Sequence, residues 1–322
     1  MAQKPTKALN PPFSKPWSVV PRKGYVCRKT PSWRWVLCST TPATNPTKAM
    51  TIKDKPSPFL KWVGGKRQLL VEIEKRLPES FNNYVEPFVG GGAVFFAFLD
   101  RFEHATLADN NLELIITYKA IKKEPEALIE LLKEHDKAHS KDYYYKIRKQ
   151  EPRDPLKVAA RFLYLNKTCF NGLYRVNKSG KFNAPMGSYK NPNIVQPDKI
   201  RVCHLALQKA HLIRGDFEIV RDFVNKGDFV YFDPPYHPTT ETSFTAYTEH
   251  NFTEKDQVRL RDFVYELHKK GAYIMLSNSK TKLIDDLYRN KCFTKHVVMA
   301  PRFVNCKPTE RSKVEEFLIT NY

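Results

Sequence analysis

The chain has 322 residues, 41% of them hydrophobic, which is enough for one large domain or two modest ones with a real core. Fifty-four Lys and Arg against 34 Asp and Glu give a formal net charge of +20, pointing to a polyanionic partner, nucleic acid first and an anionic membrane surface second. The longest apolar run, Ala93 to Leu99, falls far short of the roughly 18 residues of a spanning helix, which argues against membrane insertion.

Residues 1–50 differ in composition from the rest of the chain. They hold eight of the 23 prolines, nine Lys or Arg and no Asp or Glu, the composition of a basic leader without stable packing. Two origins fit it: an organelle transit peptide, against which the proline density argues, or a non-native leader ahead of initiation at Met50. Without it the charge is 45 minus 34, or +11, so the basic bias belongs to the folded part. Phe59-Leu60-Lys61-Trp62-Val63-Gly64-Gly65-Lys66 then leads into Leu69, Leu70, Ile73 and Leu77 at helical spacing, ending at Pro78. A glycine pair and Lys66 ahead of a helix suit an anion, or simply a turn.

Tyr84-Val85-Glu86-Pro87-Phe88-Val89-Gly90-Gly91-Gly92 followed by Ala93–Leu99 reads as strand, glycine turn and apolar helix, the first βα unit of a Rossmann-like sheet. An acidic residue roughly 20 positions further on is expected at the tip of the second strand. Asp109, after Thr106-Leu107-Ala108, fills that place and is positioned for ribose hydroxyls. Because G-G-G is not G-x-G-x-x-G, a nucleoside without a pyrophosphate is favoured over a dinucleotide. His135 and His139 have i, i+4 spacing but no H-E-x-x-H around them, so they read as a solvated helical face and no metal is expected.

Pro155 opens a helix with Val158, Phe162 and Leu165 on one face, ending at Asn166 or Lys167. A hairpin comes next, turning at Lys178-Ser179-Gly180. Phe229-Val230-Tyr231-Phe232, after Gly227-Asp228, is a buried strand, and Asp233-Pro234-Pro235-Tyr236 lies at its carboxyl edge, where open α/β sheets bind ligands. The prolines remove two backbone donors, so Asp233 and the Pro234 carbonyl present an acceptor-only surface that suits an amino group. Tyr236 adds an aromatic face for a flat base. In isolation the tetrapeptide reads equally well as a proline-rich turn.

Beyond it come Ser243–Tyr247, a helix capped by Thr253 with Val258, Leu260, Phe263, Val264 and Leu267 as its core face, a strand Ala272–Leu276, and a terminal pair near Lys295–Met299 and Glu316–Thr320. Arg302, Asn305, Lys307 and Arg311 between the last two are candidate phosphate contacts. The six cysteines are scattered without a C-x-x-C pair and read as reduced thiols of an intracellular protein.

In that order, F-x-K-W-x-G-G-K, E-P-F-x-G-G-G with its acidic partner, and D-P-P-Y about 125 residues later closely resemble the α-group, D12-class, Dam-like adenine-N6 DNA methyltransferases, from about Phe59 to Tyr322. The resemblance implies a Rossmann-like S-adenosylmethionine-dependent sheet with an inserted helical target-recognition domain. Residues 51–139 would form the cofactor side, 140–211 the recognition domain and 212–322 the catalytic side. It implies cofactor-binding roles for Trp62, Lys66, Glu86, Phe88, Gly90, Gly92, Asp109 and Asp233, and catalytic roles for Asp233, Pro234, Pro235 and Tyr236. Phe170 to Arg175 and Gly187 to Lys190 look like the base-reading hairpin. Arg175 would pair bidentately with guanine and Phe170 would wedge into the stack. Lys61, Lys167, Asn171, Asn177, Ser188, Tyr189 and Lys190 complete the DNA-binding set, with Lys178 and Lys181 as further phosphate contacts. GATC-reading members carry arginine where this chain has Ser188, which cannot make that bidentate contact. The expected activity is methylation of adenine N6 in double-stranded DNA, in GATC, by base flipping. The alternatives are another adenine-containing site or an RNA substrate. The expected setting is a cytoplasmic, DNA-associated monomer, with a cognate restriction endonuclease acting separately.

Overall fold

A computed structural model of the chain describes residues 25–29, 35–39, 55–239, 252–301 and 313–322. Contacts divide the chain into Met1–Lys53 and Asp54–Tyr322. In the first unit β1 (Tyr25–Lys29) and β2 (Trp35–Ser39) pair antiparallel. The second unit runs α1 (Leu70–Glu74), β3 (Tyr84–Glu86), α2 (Ala93–Ala97), β4 (Ala105–Asp109), α3 (Leu112–Lys123), α4 (Pro125–Lys137), α5 (Lys141–Lys149), α6 (Pro155–Thr168), α7 (Pro197–Leu207), β5 (Ala210–Arg214), β6 (Phe229–Phe232), α8 (Glu254–Lys269), β7 (Tyr273–Ser279), α9 (Lys282–Leu287), β8 (Thr294–Pro301) and β9 (Lys313–Thr320). Short 3₁₀ turns add Lys66–Gln68, Phe170–Gly172 and Phe217–Phe223. Ser243–Tyr247 and Arg302, Asn305, Lys307 and Arg311 lie outside the described residues.

Seven strands form one mixed α/β sheet in the order β5-β4-β3-β6-β7-β9-β8. The first five are mutually parallel, and β9 runs antiparallel to both of its neighbours. This is the terminal antiparallel pair expected of a methyltransferase-type sheet. Period-two alternation explains the unbroken apolar run of β6: Phe229 and Tyr231 face one core and Val230 and Phe232 the other, all four fully buried. Tyr84 and Val85 of β3 divide the same way.

The chain's own punctuation sets the helix ends. Asp154 caps α6 with Pro155 in its first turn. Thr253 and Asp256 make a reciprocal capping box at α8. Three expectations need correction here. Val258 is not core but 36% exposed, whereas Gln257 is buried beside Leu260, Phe263, Val264 and Leu267. Two residues along a helix turn the chain by about 200°, so Val258 and Leu260 cannot share a face. His135 and His139 are not solvated: both are half-buried, their Nδ1 atoms within hydrogen-bond distance of the Tyr143 and Tyr164 hydroxyls, and His135 stacks on Tyr164 at 5.0 Å. The helix expected from Leu69 to Leu77 shrinks to the five-residue α1, with the 3₁₀ turn Lys66–Gln68 ahead of it. Among the described residues no helix is long and apolar enough to cross a membrane.

Candidate active site

Parallel pairing sets Tyr84 beside Phe229 and Val85 beside Val230, so β3 and β6 end together and their following loops share one edge of the sheet. From here β4 and β5 extend the sheet one way and β7, β9 and β8 the other. This is the switch point at which such sheets form a ligand crevice.

On the β3 side the chain makes a bare glycine turn. Gly90 and Gly92 have φ of +45° and +68°. A Cβ at Gly90 would meet Trp62 Cδ1 at 2.6 Å, and one at Gly92 would meet the Tyr118 hydroxyl oxygen at 2.6 Å, so only glycine fits here. Asp109, at the end of β4, braces the turn: Oδ2 accepts from the Gly90 N–H at 3.0 Å and Oδ1 from the Asn111 N–H at 2.9 Å. Burial pushes its carboxyl up to about 6 against those hydrogen bonds. Tyr118 of α3 donates to the Gly90 carbonyl at 3.0 Å. Trp62 closes the turn from outside and stacks on Tyr174 at 5.6 Å. Glu86 is buried, accepts from the Tyr84 hydroxyl at 2.9 Å, and is raised well above the usual carboxylate range by burial. Phe88 is half-buried and stacks on Phe217 at 5.6 Å.

On the β6 side Asp233 meets Lys66. The Lys66 ammonium is 2.7 Å from Asp233 Oδ1, donates to the Gly64 carbonyl at 2.6 Å, and lies 4.8 Å from the Tyr236 ring centroid. Their side chains are 8% and 20% exposed, so the pair is largely shielded from water. Burial raises the Asp233 carboxyl, and the Lys66 charge opposes that rise. The backbone of the tetrapeptide is fixed by neutral amides. Gln257 of α8 donates to the Pro235 carbonyl at 3.0 Å, Asn278 of β7 donates to Gln257 at 3.0 Å, and Asn278 accepts from the His237 N–H at 3.1 Å. Pro234 is buried. The sequence reading gave neither Gln257 nor Asn278 a role. Their signal is a polar side chain on an otherwise apolar helix face and at the tip of a buried strand.

The hairpin after α6 is short. Isolated bridges join Cys169 to Met186 and Val176 to Phe182, and Asn171 takes the left-handed conformation at φ 53°. Arg175 is half-buried, its guanidinium donating to Asn183 Oδ1 at 2.7 Å and to the Asn183 carbonyl at 3.1 Å. Asn183 lies across the turn, a partner that a turn at 178–180 would have indicated. Phe170 is 52% exposed. Ser188 and Lys190 are exposed, whereas Asn177 turns its Oδ1 back onto the Ser179 and Lys181 N–H groups. Lys61 is held at its backbone by Asn166, and its ammonium donates to the Tyr189 hydroxyl at 3.1 Å. Lys167 donates to Gln196 at 3.1 Å. Burial, with Lys199 and Lys61 near, lowers its ammonium to about 8.

Residues 62–302 match the model of the D12 class N6 adenine-specific DNA methyltransferases. The chain is 45% identical over 275 residues to type II methyltransferase M1.LlaDCHI of Lactococcus lactis subsp. cremoris, covering 82% of this chain and 95% of that protein. It is 43% identical over 287 residues to type II methyltransferase M.MjaIII of Methanocaldococcus jannaschii, covering 82% and 99%. With a DNA adenine methylase of Haemophilus influenzae it shares 37% over 273 residues, covering 83% and 94%.

Proposed function

Because this chain belongs to the D12 class N6 adenine-specific DNA methyltransferases, we propose that it transfers the methyl group of S-adenosylmethionine to N6 of an adenine flipped out of double-stranded DNA, within GATC. The observation that carries this is the meeting of the glycine turn and the Asp233-Pro234-Pro235-Tyr236 segment at one sheet edge, enforced by the β3–β6 register.

The residues fit the cofactor. The Gly90–Gly92 turn is kept bare of side chains, with Trp62 and Tyr118 packed so closely that no Cβ fits at Gly90 or Gly92, and Asp109 offers carboxylate lone pairs beside it. Trp62 packs on the same turn, Glu86 and Phe88 precede it along the chain, and Lys66 pairs with Asp233. When bound, S-adenosylmethionine supplies a methyl group made electrophilic by its sulfonium.

The exocyclic nitrogen of adenine is a poor nucleophile because its lone pair is delocalised into the ring. A stacked adenine is also out of reach, so the base must leave the helix, at a cost of a few kcal/mol. Tyr236 receives it by stacking. Asp233 and the Pro234 carbonyl each accept one N–H, which draws the nitrogen toward tetrahedral geometry and stabilises the positive charge that develops on it. Gln257 holds the Pro235 carbonyl, which fixes the backbone on which those acceptors sit. Placing base and methyl donor in line supplies further acceleration.

Arg175, pre-oriented by Asn183, reads a guanine, Phe170 enters the stack, and Lys61, Lys167, Asn171, Tyr189 and Lys190 hold the duplex. Two of the relatives are named type II methyltransferases; we read this chain as a modification enzyme acting on DNA as a monomer, with a cognate restriction endonuclease as a separate protein. The test is transfer of labelled methyl to paired duplexes, one with GATC and one with its adenine or outer guanine replaced. Label only in the GATC duplex, abolished by Asp233→Ala with cofactor binding kept, is the expected result. Turnover retained by Asp233→Ala sinks the mechanism, and label in other adenines moves the site.

A further inference from the structure

The second strand of the terminal pair brings to this site a carboxylate that no motif announces. Ser279 at the end of β7 lies opposite Glu316 across the antiparallel β7–β9 pair, so Glu316 stands at the same sheet edge as Asp233. Its Oε2 accepts a hydrogen bond from the Tyr236 hydroxyl at 3.0 Å. At the other end of the contact, Lys66 Nζ sits over the ring face, 4.8 Å from its centroid. A phenol ring moves about two side-chain torsions. Fixing the hydroxyl at its far end and one face against an ammonium restrains both. Burial, with Asp233 and Glu316 near, raises the Tyr236 phenol well above its usual range, so the hydroxyl stays protonated and able to donate.

We propose that Glu316 is a positioning residue for methyl transfer: through the Tyr236 hydroxyl it holds the ring so that the face away from Lys66 receives the extruded base. The inference rests on the reading of Tyr236 as the base-stacking residue. A stacking platform that swings freely would have to be ordered each time a base arrives, and that entropy would be lost at the step leading to transfer. A platform held beforehand spares that loss. Because Glu316 acts on the ring and not on the cofactor cradle, its removal affects base capture and turnover while cofactor affinity stays the same.

The experiment compares the wild type, Glu316→Gln, Glu316→Ala, Tyr236→Phe and the double variant Tyr236→Phe/Glu316→Ala. Single-turnover methyl transfer is measured, with the fluorescence of a duplex carrying 2-aminopurine at the target position and cofactor affinity by dialysis. Losing a hydrogen bond to a charged group corresponds to about 10- to 100-fold in rate, and that loss is expected for Glu316→Ala, with an altered 2-aminopurine signal and unchanged cofactor affinity. Glu316→Gln loses less, since its amide oxygen still accepts. Adding Glu316→Ala to Tyr236→Phe costs less than Glu316→Ala costs the wild type, because the Tyr236–Glu316 contact is already gone. A Glu316→Ala enzyme with wild-type rate and fluorescence overturns the inference. So does a further full loss on adding Glu316→Ala to Tyr236→Phe. A wild type that methylates no adenine-containing duplex overturns the function itself, an outcome separate from either of these.

Discussion

Acidification tests the cofactor cradle, because the Asp109 carboxylate that braces its turn has a displaced pKa. Burial pushes the Asp109 carboxyl up to about 6, from an ordinary carboxylate value of 3.8. At pH 7.5 it is therefore mostly ionised and at pH 5 mostly protonated. Only the ionised form accepts at both oxygens, from Gly90 and Asn111, and keeps lone pairs for a ribose hydroxyl. If that form alone binds S-adenosylmethionine, affinity falls about tenfold between pH 7.5 and 5, or about 1.4 kcal/mol. Unfolding through this group does not mimic the effect. Its folded pKa lies above the unfolded one, so its contribution to stability is fully present below about 3.8 and is lost as pH rises through about 6. Acid therefore favours the fold at this position while weakening the ligand. Equilibrium dialysis of labelled cofactor across pH 5 to 7.5, with Asp109→Asn as control, measures it. The variant should bind weakly and with no step near pH 6. A wild-type affinity that stays level down to pH 5 would refute the role given to Asp109.

Two substitutions probe the supports of the site. Gln257→Leu strands Asn278 and removes the donor to the Pro235 carbonyl. Each buried polar group left unpaired costs about 1–3 kcal/mol, so thermal unfolding should drop by several degrees and turnover should fall with it; an unchanged midpoint would show that water replaces the amide. Arg175→Ala removes the guanidinium oriented by Asn183. Discrimination between GATC and a duplex with its guanine replaced should shrink by about 1–3 kcal/mol in competition binding, and unaltered discrimination would move base reading elsewhere.

Much of this molecule was legible because its signals are local. β6 coincides with the run Phe229–Phe232, since a strand buried on both faces has no alternation to obscure it. α8 starts where Thr253 says it should, and Asp109 closes β4 as the strand–turn–helix spacing requires. What escaped depends on partners distant in sequence. Asn166 joins Lys61 across 105 positions, Tyr236 joins Glu316 across 80, and His139 joins Tyr164 across 25. No window of periodicity contains both members of such a pair. Neutral amides are the hardest class, because Gln257 and Asn278 look like surface residues until the sheet brings them together. The failure at Val258 was of another kind, an error of helical phase in a region where polar Gln257 takes the inward place.

The charge distribution comes from the same assembly. A protein of net charge +20 gathers Asp109, Asp233 and Glu316 at one sheet edge, with Lys66 bonded to Asp233 among them. Long-range positive potential draws a duplex and is screened within roughly 8–10 Å by salt. Inside the crevice that screening is weak, and the local sign decides. A sulfonium and a developing charge on N6 are both cationic, so carboxylates favour the ligand and the transition state where lysines would oppose them. Lys66 is the exception that makes Asp233 usable: burial alone would drive that carboxyl toward its protonated form, which could spend its own proton as a donor instead of accepting the amino group's. The ammonium opposes that rise from one oxygen and so favours the accepting state. The basic exterior and the acidic crevice therefore answer to different parts of one reaction, and the Lys66–Asp233 pair is where the two signs meet.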